Sequence, residues 1–277
     1  MATPRRIAAV CALLLAGWAG GARAQLPSGD DPQASPIWQK VRASLFEGRF
    51  IAPATPETLT LEAPSRAIDA AVVPIAIRSR LPQTQAHYVS RIYLLIDANP
   101  SPISAIFQLT PESGRADIET RVRVDAYSFV RAIAETNDGQ LFMATRFVKA
   151  SGGCSAPAGT DPGAALASMG RMRFRIEGDI NGREPVLAQL QINHPNHSGL
   201  AMDQATRQYT PAHFVRRVDV SYAGRSILSA DVDFSISENP NFRFYFVPQG
   251  AGDLKAAVVD SQDLRFVSAQ ALRDAAR

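Results

Sequence analysis

From Thr58 onward the chain is written in short runs where apolar and polar residues alternate. Ile118, Thr120, Val122 and Val124 interleave with Glu119, Arg121, Arg123 and Asp125, a period of two that predicts a strand with one buried face. LTLEA, VVPIAIRS, RIYLLID, SAIFQL, DIETRVRV, YSFVRAIAE and LFMATRFV follow one another up to Val148. NPSP (99–102), PESG (111–114) and NDG (137–139) supply turn chemistry between them. Many short strands separated by such signals predict a β-sandwich. After Gly170 the rhythm resumes with RMRFRIEGD, VLAQLQINH, FVRRVDVSYAG, SILSADVDFSIS, NFRFYFVP, DLKAAVVD and LRFVSAQ, and Tyr222-Ala223-Gly224-Arg225 predicts a hairpin turn. That is a second sandwich.

Three segments break the rhythm. Residues 36–47, PIWQKVRASLFE, place Ile37, Trp38, Val41, Leu45 and Phe46 at helical spacing, with Pro36 suited to a helix start and Gly48 to the position after its end. Residues 150–169, ASGGCSAPAGTDPGAALASM, carry no strand pattern and predict a flexible linker. The closing SAQALRDAAR predicts a frayed helix or tail. The fold class is therefore all-β, two sandwiches over 36–149 and 170–277 joined by a flexible linker, with a short N-terminal helix.

The first 24 residues stand apart. Arg5 and Arg6, an apolar run from Ile7 to Trp18, and Ala22-Arg23-Ala24 before Gln25 make a secretory signal peptide with an A-x-A cleavage site. No later apolar run is long enough to span a bilayer, so the processed chain is expected to be exported and free of the membrane. The full chain has 29 Lys+Arg against 26 Asp+Glu; without Arg5, Arg6 and Arg23 the counts are 26 and 26. A balanced chain has no basic footprint for nucleic acid. Cleavage also removes Cys11 and leaves Cys154 as a single thiol, unable to form an intramolecular disulfide.

Cys154 lies among Gly152, Gly153, Ser155, Ala156 and Pro157, with no bulky apolar neighbour in sequence to bury it. That setting predicts an exposed thiol on a bendable arm, with a pKa near the ordinary value of about 8.5. It does not suit an enzyme nucleophile, which needs a base and oxyanion donors held rigidly about it. His194 and His197, with His213 and Asp203 further along, form the second cluster of interest; hydrogen-bonded loop histidines are expected ahead of a metal site. No paired carboxylates, P-loop, Rossmann fingerprint or G-x-S-x-G is present, so neither enzymatic activity nor a cofactor is expected.

LTLEAPSRAIDAAVVPIAIRS, YLLIDANPSPISAIFQLTP, ETRVRVDAYSFVRAIAETNDGQLF and above all KASGGC resemble SoxY, the sulfur-carrying subunit of the periplasmic thiosulfate-oxidising Sox system. The stretch from INHPNHSG through NFRFYF, with GDLKAAVVDSQD after it, resembles its partner SoxZ. The whole resembles fused SoxYZ-like carriers, some of them associated with quinoprotein dehydrogenases. The resemblance implies immunoglobulin-like and fibronectin-III-like sandwiches paired within one monomer. It implies that Cys154 is the covalent attachment point for sulfur intermediates, that Gly152 and Gly153 belong to its carrier arm, and that partner enzymes do the chemistry. Those partners are sulfur-oxidising enzymes or a quinoprotein dehydrogenase system; an accessory module docked on such a dehydrogenase, without covalent cargo, is the alternative. In SoxY the arm ends Gly-Gly-Cys-Gly-Gly at a free terminus, whereas here Ser155-Ala156-Pro157 continues into the second half. A partner is thus expected to have an open cleft, or the linker to be cut after Cys154.

Overall fold

The computed structural model describes residues 31–180, 182–203 and 206–273. The expected signal peptide, residues 1–24, lies outside them. Helix α1 spans Pro36–Phe46, with the Ser35 hydroxyl accepting from the Trp38 N–H (3.2 Å) and Glu47 in the left-handed region at φ 45°.

In the first half the strands are β1 (Ala52–Pro53), β2 (Leu59–Glu62), β3 (Val73–Ser79), β4 (Val89–Ile96), β5 (Ile103–Leu109), β6 (Ile118–Val122), β7 (Ser128–Thr136) and β8 (Leu141–Val148). The second half has β9 (Met172–Glu177), β10 (Val186–Ile192), β11 (Val215–Tyr222), β12 (Arg225–Val232), β13 (Asn241–Phe246), β14 (Gly252–Asp260) and β15 (Arg265–Leu272). Each of the fourteen runs read from the alternation overlaps one of these strands; the two-residue β1, too short to carry a pattern, is the addition.

The strands form two sheets, ordered β1-β8-β7-β4-β5-β12-β11-β14-β15 and β2-β3-β6-β13-β10-β9. Both sheets run through the boundary between the halves. In the larger, β5 pairs antiparallel with β12 from Leu109↔Leu228 to Ala105↔Val232. In the smaller, β6 meets β13 at Glu119↔Arg243. The inward faces make one continuous core that takes in Leu61, Ile75, Ile92, Phe107 and Val122 from the first half and Leu190, Val218, Phe242, Phe244 and Val258 from the second. The two sandwiches are joined edge to edge, each completing the other's sheets.

A smaller core lies on the other side of the large sheet, where α1 lays Trp38 and Phe46 over Tyr93, Leu95, Ile133 and Leu141. This cover explains why every residue of β7 is buried, Arg131 included. Arg131 clamps Asp97 with two bonds (2.8 and 2.6 Å), donates to the Pro32 carbonyl (2.6 Å) and stacks 4.5 Å over Trp38.

Two expectations are corrected. The linker contains a short helix, α2 (Pro162–Ser168), capped by Asp161 accepting from the Ala164 N–H (3.0 Å). It buries none of its residues, so no apolar periodicity announced it. The closing SAQAL is strand, not helix: Ser268–Leu272 pair with Gly252–Ala256 of β14. Ladder bonds along an open sheet edge outweigh the weak helical preference of a few alanines. Residues 274–277 lie outside the described residues.

Candidate functional site at Cys154

Strand β6 ends at Val122, and the chain continues outward through Arg123, Val124 and Asp125 at the boundary of the two halves. Asn99 holds this exit: its amide donates to the Arg123 carbonyl (2.9 Å) and to the Ser235 hydroxyl (3.0 Å), and its oxygen accepts from the Asp125 N–H (2.9 Å). Onto this edge folds the segment after β8. The Gly152 N–H donates to the Asp125 carbonyl (2.7 Å), Gly153 N–H to the Val124 carbonyl (3.1 Å), and Cys154 N–H to Asp125 Oδ1 (3.2 Å). From the other half, the Ser198 hydroxyl donates to the Cys154 carbonyl.

Both glycines are required by this arrangement. Gly152 has φ 78°, in the left-handed region. At Gly153 a Cβ would lie 2.1 Å from the Ala70 carbonyl oxygen and 2.7 Å from that of Val124. Absence of a side chain lets the arm lie flat on the backbone. Further along, Glu238 holds the linker by accepting from the Gly159 N–H (2.7 Å) and Thr160 N–H (3.2 Å).

Here the structure departs from the expected solvated thiol. Cys154 is free, and its exposure is 0%. Burial pushes its pKa up to about 12, the Asp125 carboxylate adds to the rise, Arg123 opposes it and Asp233 adds a little. Sequence neighbours could not foretell this, because the walls come from residues 70, 124–125 and 198. In this position the sulfur is a protonated, poorly nucleophilic thiol.

The charged groups about it belong to both halves. Arg123 is buried and donates from Nη1 to the carbonyls of Phe234 (2.9 Å) and Ile236 (2.7 Å); desolvation lowers its pKa while Cys154 and Glu238 oppose the change. Asp233 is held above the usual carboxylate range by burial. His197 is depressed by burial first and by Arg123 next. Arg123, Asp125, Ser198, Asp233 and Glu238 were not singled out from the sequence. The one legible hint was the polar register of Arg123 and Asp125, alternating with Val122 and Val124, in the segment just after β6 that meets Cys154.

The loop histidines divide. His194 and His213 come together with Asp260, their rings 4.8 Å apart and edge to face. Asp260 Oδ2 lies 2.7 Å from His213 Nε2 and 3.5 Å from His194 Nε2, while Oδ1 accepts from the Gln262 and Leu264 N–H groups (2.9 Å each). Asp203 caps its own turn, accepting from Thr206 N–H (2.7 Å) and Oγ1 (3.0 Å). The Asn196 N–H donates to His194 Nδ1 (3.0 Å), so the proton of the neutral ring sits on Nε2 and points at Asp260. A metal on Nε2 would need an imidazolate, since ligating histidines ordinarily donate from their other nitrogen. The donor set therefore fits hydrogen bonding and not a metal. Its structural effect reaches the thiol: Asn196, buried with φ 48°, donates to the Ile236 carbonyl (2.8 Å) and accepts from the Val215 N–H (2.8 Å), fixing the turn that carries Ser198.

Comparison with known proteins agrees with this division into halves. Residues 42–154 match the family profile of sulfur oxidation protein SoxY, and residues 176–271 that of sulphur oxidation protein SoxZ. No curated protein matches the chain. Among solved structures it is similar to the sulfur carrier protein SoxY from Chlorobium limicola f thiosulfatophilum, with 24% identity, covering 41% of this chain and 91% of that one at a TM-score of 0.35. It is also similar to the superoxide reductase (neelaredoxin) from Ignicoccus hospitalis, with 16% identity, covering 36% of this chain and 94% of that one at a TM-score of 0.31. With a SoxY domain and a SoxZ domain in one polypeptide, the chain is a fused SoxYZ-like protein, and those domains support a carrier role in sulfur oxidation.

Proposed function

We propose that this protein is a periplasmic, non-catalytic carrier that holds sulfur intermediates covalently on Cys154 and presents them to partner enzymes. The observation that carries the reading is the end of the SoxY match: it closes at residue 154, on the cysteine that follows Gly152 and Gly153. Joining the thiolate to thiosulfate forms a Cys154 Sγ–S bond and releases two electrons, which the partner must accept; the thiol proton goes to solvent. Burial and the neighbouring Asp125 carboxylate keep the docked thiol protonated, so deprotonation belongs to the partner's site. The protein acts as a monomer whose halves pair intramolecularly. Its partners are the enzymes of sulfur oxidation or of a quinoprotein dehydrogenase system. Because the arm is tethered at both ends, the receiving enzyme has an open cleft, or the chain is cut after Cys154.

Peptide mass spectrometry of protein taken from its native periplasm without reductant tests the reading. A reducible sulfur adduct on the Cys154 peptide is expected. A bare thiol, under conditions where the neighbouring enzymes turn over, would remove the carrier role. The burial of Cys154 favours one competing reading, an accessory module that docks on a dehydrogenase and never uses its cysteine. In that case Cys154→Ser would leave pathway flux intact, whereas a carrier loses it entirely.

A further inference from the structure

Resting on the carrier reading, we propose that the boundary between the halves is a charge-selective docking site for the arm. It holds Cys154 while the sulfur is uncharged and releases it when the sulfur carries an anionic group, so that loading itself exposes the arm to the next partner.

The docked arm is tied at several points that can open together. Three consecutive N–H groups, of Gly152, Gly153 and Cys154, bond to Val124 and Asp125, and Ser198 holds the Cys154 carbonyl. Glu238 bonds only to Gly159 and Thr160, beyond the cysteine. The segment between these clamps and the end of β8 is therefore a loop that can swing out on fixed ends. Gly153 seats against backbone alone and leaves no side chain to withdraw.

The surroundings of the sulfur set the selectivity. The groups facing it are the carboxylates of Asp125 and Asp233 and the guanidinium of Arg123, with His197 and Glu238 acting on Arg123. The cation is already engaged by two carbonyls, and Cys154 is out of reach of bulk solvent. Full burial beside the Asp125 carboxylate, whose Oδ1 lies 3.2 Å from the Cys154 N, is unfavourable to a negative sulfur, in line with the upward direction of the thiol's pKa. A sulfonate-ended adduct brings a full negative charge into the same place, where Arg123 already donates to two carbonyls. Outside, water solvates it. Transfer of the S–SO3− group to an incoming thiolate frees the Cys154 thiolate, which takes up a proton from solvent, and the uncharged thiol lets the arm return.

Two reagents separate charge from bulk. Tetrathionate reacts with the Cys154 thiolate by S–S exchange: thiosulfate leaves from the reagent, Cys154 retains an S–SO3− group, and the thiol proton passes to solvent. Methyl methanethiosulfonate leaves a neutral S–CH3 group on the sulfur and releases methanesulfinate. Both are applied to the full chain in a Cys11→Ser background, with the adduct located by peptide mass. Hydrogen–deuterium exchange is then read over residues 149–155.

The anionic adduct is expected to speed exchange of the Gly152, Gly153 and Cys154 amides more than tenfold over the free thiol, and the neutral adduct less than threefold. Asp125→Asn, which keeps the Oδ1 acceptor and removes the charge, should narrow the gap between the adducts. Equal acceleration by both would make bulk the cause and overturn charge selection. Protection unchanged with either would overturn release. Neither outcome touches the carrier reading, which stands or falls on the native adduct, because both groups here are installed chemically.

Discussion

Gly153 and Asp125 decide what the Cys154 thiol can do, one by shape and the other by charge. With a carbonyl oxygen 2.1 Å from where a Cβ would stand, Gly153→Ala cannot dock without moving backbone. The variant should therefore leave the arm out. Its thiol is expected to react with iodoacetamide at pH 8 more than tenfold faster than in the unmodified chain, approaching a small free thiol. An unchanged rate would mean that the backbone at Ala70 yields. The glycines were legible in the sequence as a flexible, side-chain-free stretch, but flexibility was only half of their meaning. The same lack of Cβ that lets an arm bend lets it seat closely, and which of the two prevails depends on a surface 30 to 80 residues away.

At the scale of elements, α1 and the three strands beneath it, β4, β7 and β8, form a unit whose key is Arg131. Its guanidinium and the Asp97 carboxylate are both buried, so removing one leaves the other's charge without compensation. Arg131→Ala should cost about 3–5 kcal/mol in urea unfolding, a loss that Asp97→Asn should partly restore in the double variant. The turn after β10 gives a second prediction. Burial and its His213 neighbour lower His194 to about pKa 4, despite the bond to Asp260. Above about pH 6.5 the ring is neutral whether the chain is folded or not. Between there and about pH 4 the unfolded chain gains a proton that the folded one refuses, and stability falls by an amount on the order of 3 kcal/mol. Urea midpoints across this range should show that slope, and His194→Gln, which keeps an acceptor and a donor in place, should flatten it. An unchanged slope in the variant would assign the acid sensitivity to other groups.

For the whole molecule, the sharing of both sheets between the halves has a thermodynamic consequence. Val232 to Leu228 provide a hydrogen-bonded edge for β5, and the core is continuous across that seam. Separated halves would expose two long open edges and the apolar side chains behind them. Unfolding should be a single transition, with Trp38 fluorescence in the first half and far-ultraviolet circular dichroism of all strands giving coincident midpoints. A protease site introduced between Ser155 and Pro157 should, once cut, leave the halves eluting together in gel filtration. Two transitions, or separation after cutting, would reduce the seam to a loose contact. Fusion therefore acts on assembly: the partner edge is always present at high effective concentration.

Period-two alternation and turn residues by themselves determined the strands and the all-β class, helical spacing after Pro36 determined the first helix, and the SoxY-like and SoxZ-like halves followed from the resemblance of longer stretches. These features are written locally, in which face each residue offers and where the chain can reverse. Tertiary structure alone decided that the sandwiches share their sheets, that SAQAL finishes an edge strand, that His194 and His213 meet at Asp260 instead of Asp203, and that Cys154 is buried instead of solvated. Each of these depends on partners distant in sequence. The environment of a thiol is made by whatever packs on it, and Ala70, Asp125 and Ser198 reach Cys154 only once both halves have folded.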